Sequence, residues 1–289
     1  MIAAEIAQKI KELEIHTRRM LAGSLIGGSK SRQKGFGFEF DQLRSYQYGD
    51  DVRLIDWKGS ARNANNLLVR QYFEERNRTI MICLDLSAST MFGSTELLKQ
   101  EIMQQIAGVL ALAGQYSQDQ VGLILFSDRI EKTIPAAKGD KHVHEILSNL
   151  FAYQAVGTGT DFDVLCEYVA NRVVKRAIVL VISDFIGSNF SRSVKKIAHD
   201  KEVIAIQVSD PQETNLSSFG YVWMKDPETN NIAFVHNSGF SGRQIAKALQ
   251  HRFVEQNLLL RSSNVDSLHV QDHKTLIQDL LIFFQKRML

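Results

Sequence analysis

The sequence predicts an α/β protein built on a doubly wound, mostly parallel sheet, with a small N-terminal α+β extension. Three observations carry that expectation. Short apolar runs recur at 79–84, 121–126, 177–182 and 203–208, as in strands buried on both faces. Apolar residues at helical spacing separate them, so strands and helices alternate as in βαβ units. The first and third of these runs each lead into a carboxylate, Asp85 and Asp184. In such sheets ligands gather beyond the carboxyl ends of the strands, where strand order reverses.

A chain of 289 residues holds one large domain plus an appendage. The division is expected between residues 1–76, a helix and a small subdomain, and residues 77–289, the α/β domain. Hydrophobic residues make up 44% and charged residues 23%, a globular composition. With 34 basic against 32 acidic side chains there is no global drive toward nucleic acid or an anionic membrane. No apolar run approaches the roughly 20 residues of a membrane span. Glu5, Lys9, Lys11, Glu12 and Glu14 interrupt any signal-peptide pattern, so a cytoplasmic location is expected. Cys83 and Cys166 lack metal-type spacing and read as buried free thiols.

Ile2, Ile6, Ile10, Leu13 and Ile15 predict an amphipathic helix at the start. The Gly-, Ser- and Lys-rich segment 23–38 reads as an exposed loop whose Lys30, Arg32 and Lys34 are open to an acidic partner. Residues 39–76 crowd aromatics among charges. Arg44, Asp50, Asp51, Arg53, Asp56, Trp57 and Arg62 either knit an irregular subdomain or present a recognition surface. Residues 67–72 read as a strand within this segment.

From Thr79 the pattern is regular. Leu98, Ile102, Ile106, Val109, Leu110 and Ala113 predict a helix ending near Gly114, before the strand at 121–126. Arg129 to Ile134 follows after two residues, too short a link for a parallel crossover, and is expected antiparallel at an edge. Helices are expected around Val143–Phe151 and Phe162–Val173, then a short one at 190–198 and a strand at 203–208. A hairpin spans 221–225 and 231–236. A helix over 241–260, a strand at 267–270 and a closing helix through Leu276–Phe284, capped by Asp272, complete the reading.

The stretch from Thr79 to Gly93 is where chemistry concentrates. Asp85, Ser87 and Ser89 alternate directly after a buried strand, so their oxygens can converge on one small hard cation. One carboxylate and two hydroxyls suit magnesium, which takes octahedral oxygen ligands at about 2.0 to 2.1 Å and keeps waters or an outside ligand. The same residues equally fit helix caps. Thr158, Thr160 and Asp161 place two more hydroxyls and a carboxylate beside a helix start, and Thr160 or Asp161 is also a natural N-cap. If the strands ending at Asp85 and Asp184 adjoin, Asp85, Ser87, Ser89, Thr160 and Asp184 reach one crevice.

From about Gly35 to Gly93, which includes the run Arg44 to Arg62, RSYQYGDDVRLIDWKGSAR, and again around Gly157 to Asp184, the chain resembles the bacterial DUF58 proteins, which carry a von Willebrand factor A-like domain. The resemblance weakens after about Asp210. It implies a von Willebrand A or Rossmann-like sheet with a metal-ion-dependent adhesion site. The D-x-S-x-S of that site falls on Asp85, Ser87 and Ser89, its threonine on Thr160 in preference to Thr158, and its last aspartate on Asp184. Thr90 stands where the family usually has methionine, a departure expected to touch packing more than the metal. The resemblance further implies bound Mg2+ or Mn2+ with one position open to an Asp or Glu of a client protein. It also implies a MoxR-type AAA+ ATPase as partner, and an adaptor role in assembling or maturing other proteins, without catalysis.

Two other readings compete. A strand followed by Asp-x-Ser resembles the nucleophile loop of magnesium-dependent phosphohydrolases, but their general acid would stand at Ser87, which cannot serve. A metal-independent scaffold is the third reading. None of the eight histidines sits in a hydrolase motif.

Overall fold

The computed structural model describes residues 34–35, 39–48, 51–62, 67–73, 78–94, 96–186, 190–214, 220–225, 232–237, 247, 254 and 265–288. The expected helix over residues 2–21 and almost all of that over 241–260 lie outside the described residues. The chain divides into two compact units, one spanning residues 22–77 and the other carrying residues 78–289.

In the smaller unit, β1 (Lys34–Gly35), β2 (Glu39–Ser45) and β3 (Leu68–Phe73) form an antiparallel sheet with β3 central. Lys34 therefore lies in a strand, where the sequence suggested a loop. Ile55 bridges Val69, and both are buried. The carboxylates between β2 and β3 are used locally. Asp51 caps the turn Val52–Leu54 by accepting from the Arg53 amide at 2.9 Å and pairs with the Arg53 guanidinium at 2.7 Å. Asp56 accepts from the Gly59 amide at 3.1 Å, capping the short helix Trp57–Ser60.

The larger unit opens with β4 (Thr79–Asp85), α1 (Lys99–Tyr116), β5 (Gln120–Phe126) and β6 (Ile130–Ala137). Next come α2 (Asp140–Ala152), α3 (Phe162–Arg172), β7 (Ile178–Ser183) and β8 (Glu202–Val208). The hairpin β9 (Gly220–Lys225) and β10 (Ile232–Asn237), then β11 (Asp266–Val270) and α4 (Leu276–Met288), follow. The six-stranded sheet runs β11-β8-β7-β4-β5-β6, parallel except for β6, which turns back along β5 at the edge. The α/β expectation holds, including the antiparallel edge.

Period-two alternation sends successive side chains to opposite faces of the sheet. Ile82, Leu84, Leu123 and Leu125 pack with Ile106, Leu110, Ile146, Leu147, Leu276 and Leu280, so α1, α2 and α4 cover one face. Cys83, Ile124, Val179 and Val181 pack with Leu165, Cys166, Val169 and Val194, so α3 and the segment after Phe190 cover the other. Both cysteines are buried free thiols. Asp272 accepts from the Lys274 amide at 2.9 Å, at the turn leading into α4.

From β4 the chain winds outward through β5 to β6, and from β7 through β8 to β11. The order therefore reverses between β4 and β7, which pair in parallel from Ile80 opposite Ile178 to Leu84 opposite Ile182. This is the switch point of a doubly wound sheet.

Candidate metal centre

At the carboxyl end of β4, Asp85 is fully buried. Its Oδ1 accepts from the Ser87 amide at 2.9 Å, and its Oδ2 from the Ser183 hydroxyl at 2.6 Å. Ser183, the last residue of β7, ties the two central strands together directly over the switch point and accepts in turn from the Phe185 amide at 2.9 Å. The Ser87 and Ser89 hydroxyls face one another at 3.1 Å. Thr90 is buried and donates to the Ser87 carbonyl at 2.7 Å, bracing the turn Ala88–Met91. The departure at Thr90 thus serves the loop's shape.

Asp184 leaves β7 on a sharp turn. Phe185 adopts φ +56, a conformation that costs a non-glycine residue energy and persists only where its surroundings impose it. Here Phe185 stacks on Phe162 at 5.4 Å and packs on Phe190 at 4.8 Å. The turn presents Asp184, nearly buried, with Oδ1 accepting from the Ile186 amide at 3.1 Å and Oδ2 from Lys99 Nζ at 2.8 Å.

The third loop is fastened by its backbone. The Ala88 amide donates to the Thr158 carbonyl at 2.9 Å and the Asp161 amide to the Ser127 carbonyl at 3.0 Å. Asp161 is the N-cap of α3, accepting from the Asp163 and Val164 amides at 2.8 and 3.3 Å. Thr158 is exposed and Thr160 half-buried. Glu131 on β6 braces the loop from behind. It accepts from the Gly157 amide at 2.7 Å, the Val156 amide at 3.2 Å and the Ser127 hydroxyl at 2.7 Å.

Electrostatically the site is short of positive charge. Burial, with the Asp184 charge adding to it, pushes the Asp85 carboxyl up to about 7, against the Ser183 and Ser87 hydrogen bonds. Burial acts to lower Lys99, but the Asp184 and Glu213 carboxylates outweigh it and hold the ammonium above its ordinary value. Burial raises Glu131, yet its amide and hydroxyl donors prevail and its carboxyl lies below the usual range.

Two ligands at right angles on an octahedral ion at about 2.0 to 2.1 Å are separated by about 3 Å. The 3.1 Å spacing of the Ser87 and Ser89 hydroxyls matches that edge. With the buried carboxylates of Asp85 and Asp184 at the ends of the paired strands β4 and β7, the donor chemistry suits a hard divalent cation. Among the described residues no group of three or more His, Cys, Asp and Glu that could hold a metal gathers.

Sequence reasoning missed Ser183, Lys99, Glu131 and Glu213. Lys99 left a signal, because it falls three, four and seven residues before Ile102, Met103 and Ile106 on the buried stripe of α1. In the smaller unit, Trp57 is 66% exposed, Arg53 and Arg62 are exposed, and Arg44 lies in β2 opposite Val69. Asp50 lies outside the described residues.

The chain is 29% identical over 231 residues to uncharacterised proteins of Mycobacterium bovis and Mycobacterium tuberculosis, covering 79% of this chain and 73% of each relative. Among solved structures, a conserved hypothetical protein BatB from Bacteroides thetaiotaomicron aligns with a TM-score of 0.46 at 14% identity, covering 72% of this chain and 99% of that one. An aerotolerance-related membrane protein from Bacteroides fragilis aligns with a TM-score of 0.48 at 16% identity and the same coverages, 72% and 99%. The family described as "Protein of unknown function DUF58" matches residues 42–254, most of the chain, and the chain belongs to it.

Proposed function

We propose that the chain is a non-enzymatic, metal-dependent protein-binding module. Asp85, Ser87, Ser89, Thr160 and Asp184 would hold one Mg2+ or Mn2+. The reading is supported by the Ser87–Ser89 hydroxyl pair just after β4 and by the buried carboxylates Asp85 and Asp184 at the ends of two adjacent strands, where strand order reverses. A bound ion supplies a coordination position that an Asp or Glu of a client protein can fill. Ser183 and the Ser87 amide orient Asp85, the Phe185 turn orients Asp184, and Glu131 sets the loop that carries Thr160.

The burial of Asp85 favours binding over phosphoryl transfer. Both of its oxygens are engaged, by an amide and a hydroxyl, and no group with acid character stands beside it at Ser87. The smaller unit supports a recognition role through its exposed Trp57, Arg53 and Arg62, with Arg44 and Asp50 in the same segment, while Asp51 and Asp56 are spent on caps. We assign that surface to a MoxR-type AAA+ ATPase on the strength of the resemblance of the Arg44–Arg62 run. The reading is that of an adaptor in assembly or maturation of protein complexes in the cytoplasm. Among the described residues no helix is long and apolar enough to cross a membrane.

The test is calorimetric titration of Mg2+, then Mn2+, into the metal-stripped protein and into Asp85→Ala. Binding to the wild type that is lost in the variant is the expected result. Absence of binding by both would remove the mechanism and leave a metal-independent scaffold. Hydrolysis of an aryl phosphate by the wild type and not the variant would instead establish the phosphohydrolase.

A further inference from the structure

Lys99 is a cation already inside the centre. It is 1% exposed, its Nζ lies 2.8 Å from Asp184 Oδ2 and 2.6 Å from Glu213 Oε1, and Phe92 flanks it with its ring centroid at 6.0 Å. Its position on the stripe of α1 would accept leucine or methionine. Burying an ammonium there is costly unless carboxylates pair with it. Lys99 therefore calls for an account that packing does not give.

The charges supply one. With Asp85 ionised, as metal ligation requires, Asp85, Asp184 and Glu213 bring three negative charges to the site and Lys99 one positive. The balance of minus two is what one divalent ion would neutralise. The two central carboxylates are not equivalent. Asp184 is charge-paired with Lys99, whereas Asp85 is held by neutral donors, the Ser87 amide and the Ser183 and Ser87 hydroxyls. Glu213 offers the ammonium a second seat that is held independently. Its Oε2 accepts from the Asp210 amide at 3.0 Å, and Asp210 is fastened to Ser94 through the Ser94 amide at 2.6 Å and hydroxyl at 2.5 Å. The short helix Pro211–Thr214 is thus tied to the segment that leads into α1.

We propose that Lys99 is a built-in counter-charge that competes with the metal ion for Asp184. It sets the ion's affinity below what the carboxylates alone would give, and the positive charge it holds beside the bound ion favours an incoming carboxylate. Glu213 is the seat that holds Lys99 when the ion engages Asp184. Lys99 is then a positioning residue acting through Asp184. This inference rests on the metal-binding reading and adds its regulation.

The test is calorimetric titration of Mn2+ into the metal-stripped full chain of the wild type, Lys99→Met and Glu213→Gln. Even with water-like screening, a unit charge close to a divalent ion is worth roughly a factor of ten in affinity. Lys99→Met should tighten Mn2+ by at least about tenfold. Glu213→Gln should weaken it several-fold, because the ammonium then concentrates on Asp184. A merely structural role would weaken both variants. With Mn2+ bound, acetate added as a carboxylate probe should displace coordinated water at lower concentration in the wild type than in Lys99→Met, read by water proton relaxation.

Weaker or unchanged Mn2+ binding by a folded Lys99→Met overturns the inference while leaving the metal site standing. If that variant does not fold, tighter or unchanged binding by Glu213→Gln overturns it equally. Binding by Lys99→Met but not by the wild type would support it in its strongest form. Absence of binding by every protein overturns this inference and the metal reading together.

Discussion

Asp85 is the residue on which burial and charge act most directly. Its carboxyl is raised to about 7 by burial, reinforced by Asp184. A group whose folded pKa lies above its unfolded value contributes stability that is fully present below the unfolded pKa, about 3.9, and lost as pH rises through the folded one. The metal-free protein should therefore lose stability between roughly pH 4 and pH 7. Asp85→Asn, which keeps an oxygen for the Ser87 amide, should escape that loss. The variant is expected to unfold at higher urea than the metal-free wild type at pH 8, to show a smaller difference at pH 4, and to bind no ion. Equal pH profiles for the two proteins would show that Asp85 is not the group responsible. At this scale the motif was legible because Asp85, Ser87 and Ser89 are consecutive alternating positions. The pairing of Lys99 with Glu213 was not, since the two are separated by 114 residues.

Elements decide how closely the loops can approach. Gly157 lies against Ser127 and Asp128, and a Cβ there would collide with Ser127 Oγ and Asp128 Oδ1. Gly157→Ala should push the Thr160 loop away from Ala88, destabilise the protein by about 1–3 kcal/mol and weaken ion binding. Undiminished calorimetric affinity in that variant would detach the loop from the site. In α1, a Cβ on Gly114 would meet Val121 Cγ2 at 2.6 Å and Ile80 Cδ1 at 3.3 Å. Replacing a helical glycine by alanine gains about 0.5–1 kcal/mol, but overpacking costs about 1–3 kcal/mol. Gly114→Ala is thus expected to lower stability in urea unfolding, with α1 forced off β4 and β5. The strands were legible because apolar runs end in polar residues, and α1 because its stripe is regular. What the sequence concealed is the sideways order. β4 adjoins β7 because the chain, after β5 and β6, returns through α2 and α3 to the other side of β4, and the bond from Ser183 to Asp85 exists only once those strands pair.

At the scale of the whole chain, the five proposed donors, Asp85, Ser87, Ser89, Thr160 and Asp184, all lie in one compact unit, and the exposed Trp57 lies in the other. The two halves of the proposed activity should then separate experimentally. An ion that binds only the folded state stabilises it by about 2.7 kcal/mol at 100 times its dissociation constant. For a domain of this size that corresponds to a rise of roughly 5–10 °C in melting temperature. Wild type and Trp57→Ala should show the same rise, because the substitution is at an exposed side chain outside the unit that holds the donors. Asp85→Ala should show none. Capture of a MoxR-type ATPase should fail in Trp57→Ala, whereas Asp85→Ala should lose only what chelation also removes, the grip on a client carboxylate. A Trp57→Ala protein with a diminished ion-induced shift would mean that the smaller unit completes the metal centre. Unimpaired capture of the ATPase by the same variant would move the recognition surface away from Trp57. The two readouts therefore test the division of labour between the units independently of whether either partner has been identified correctly.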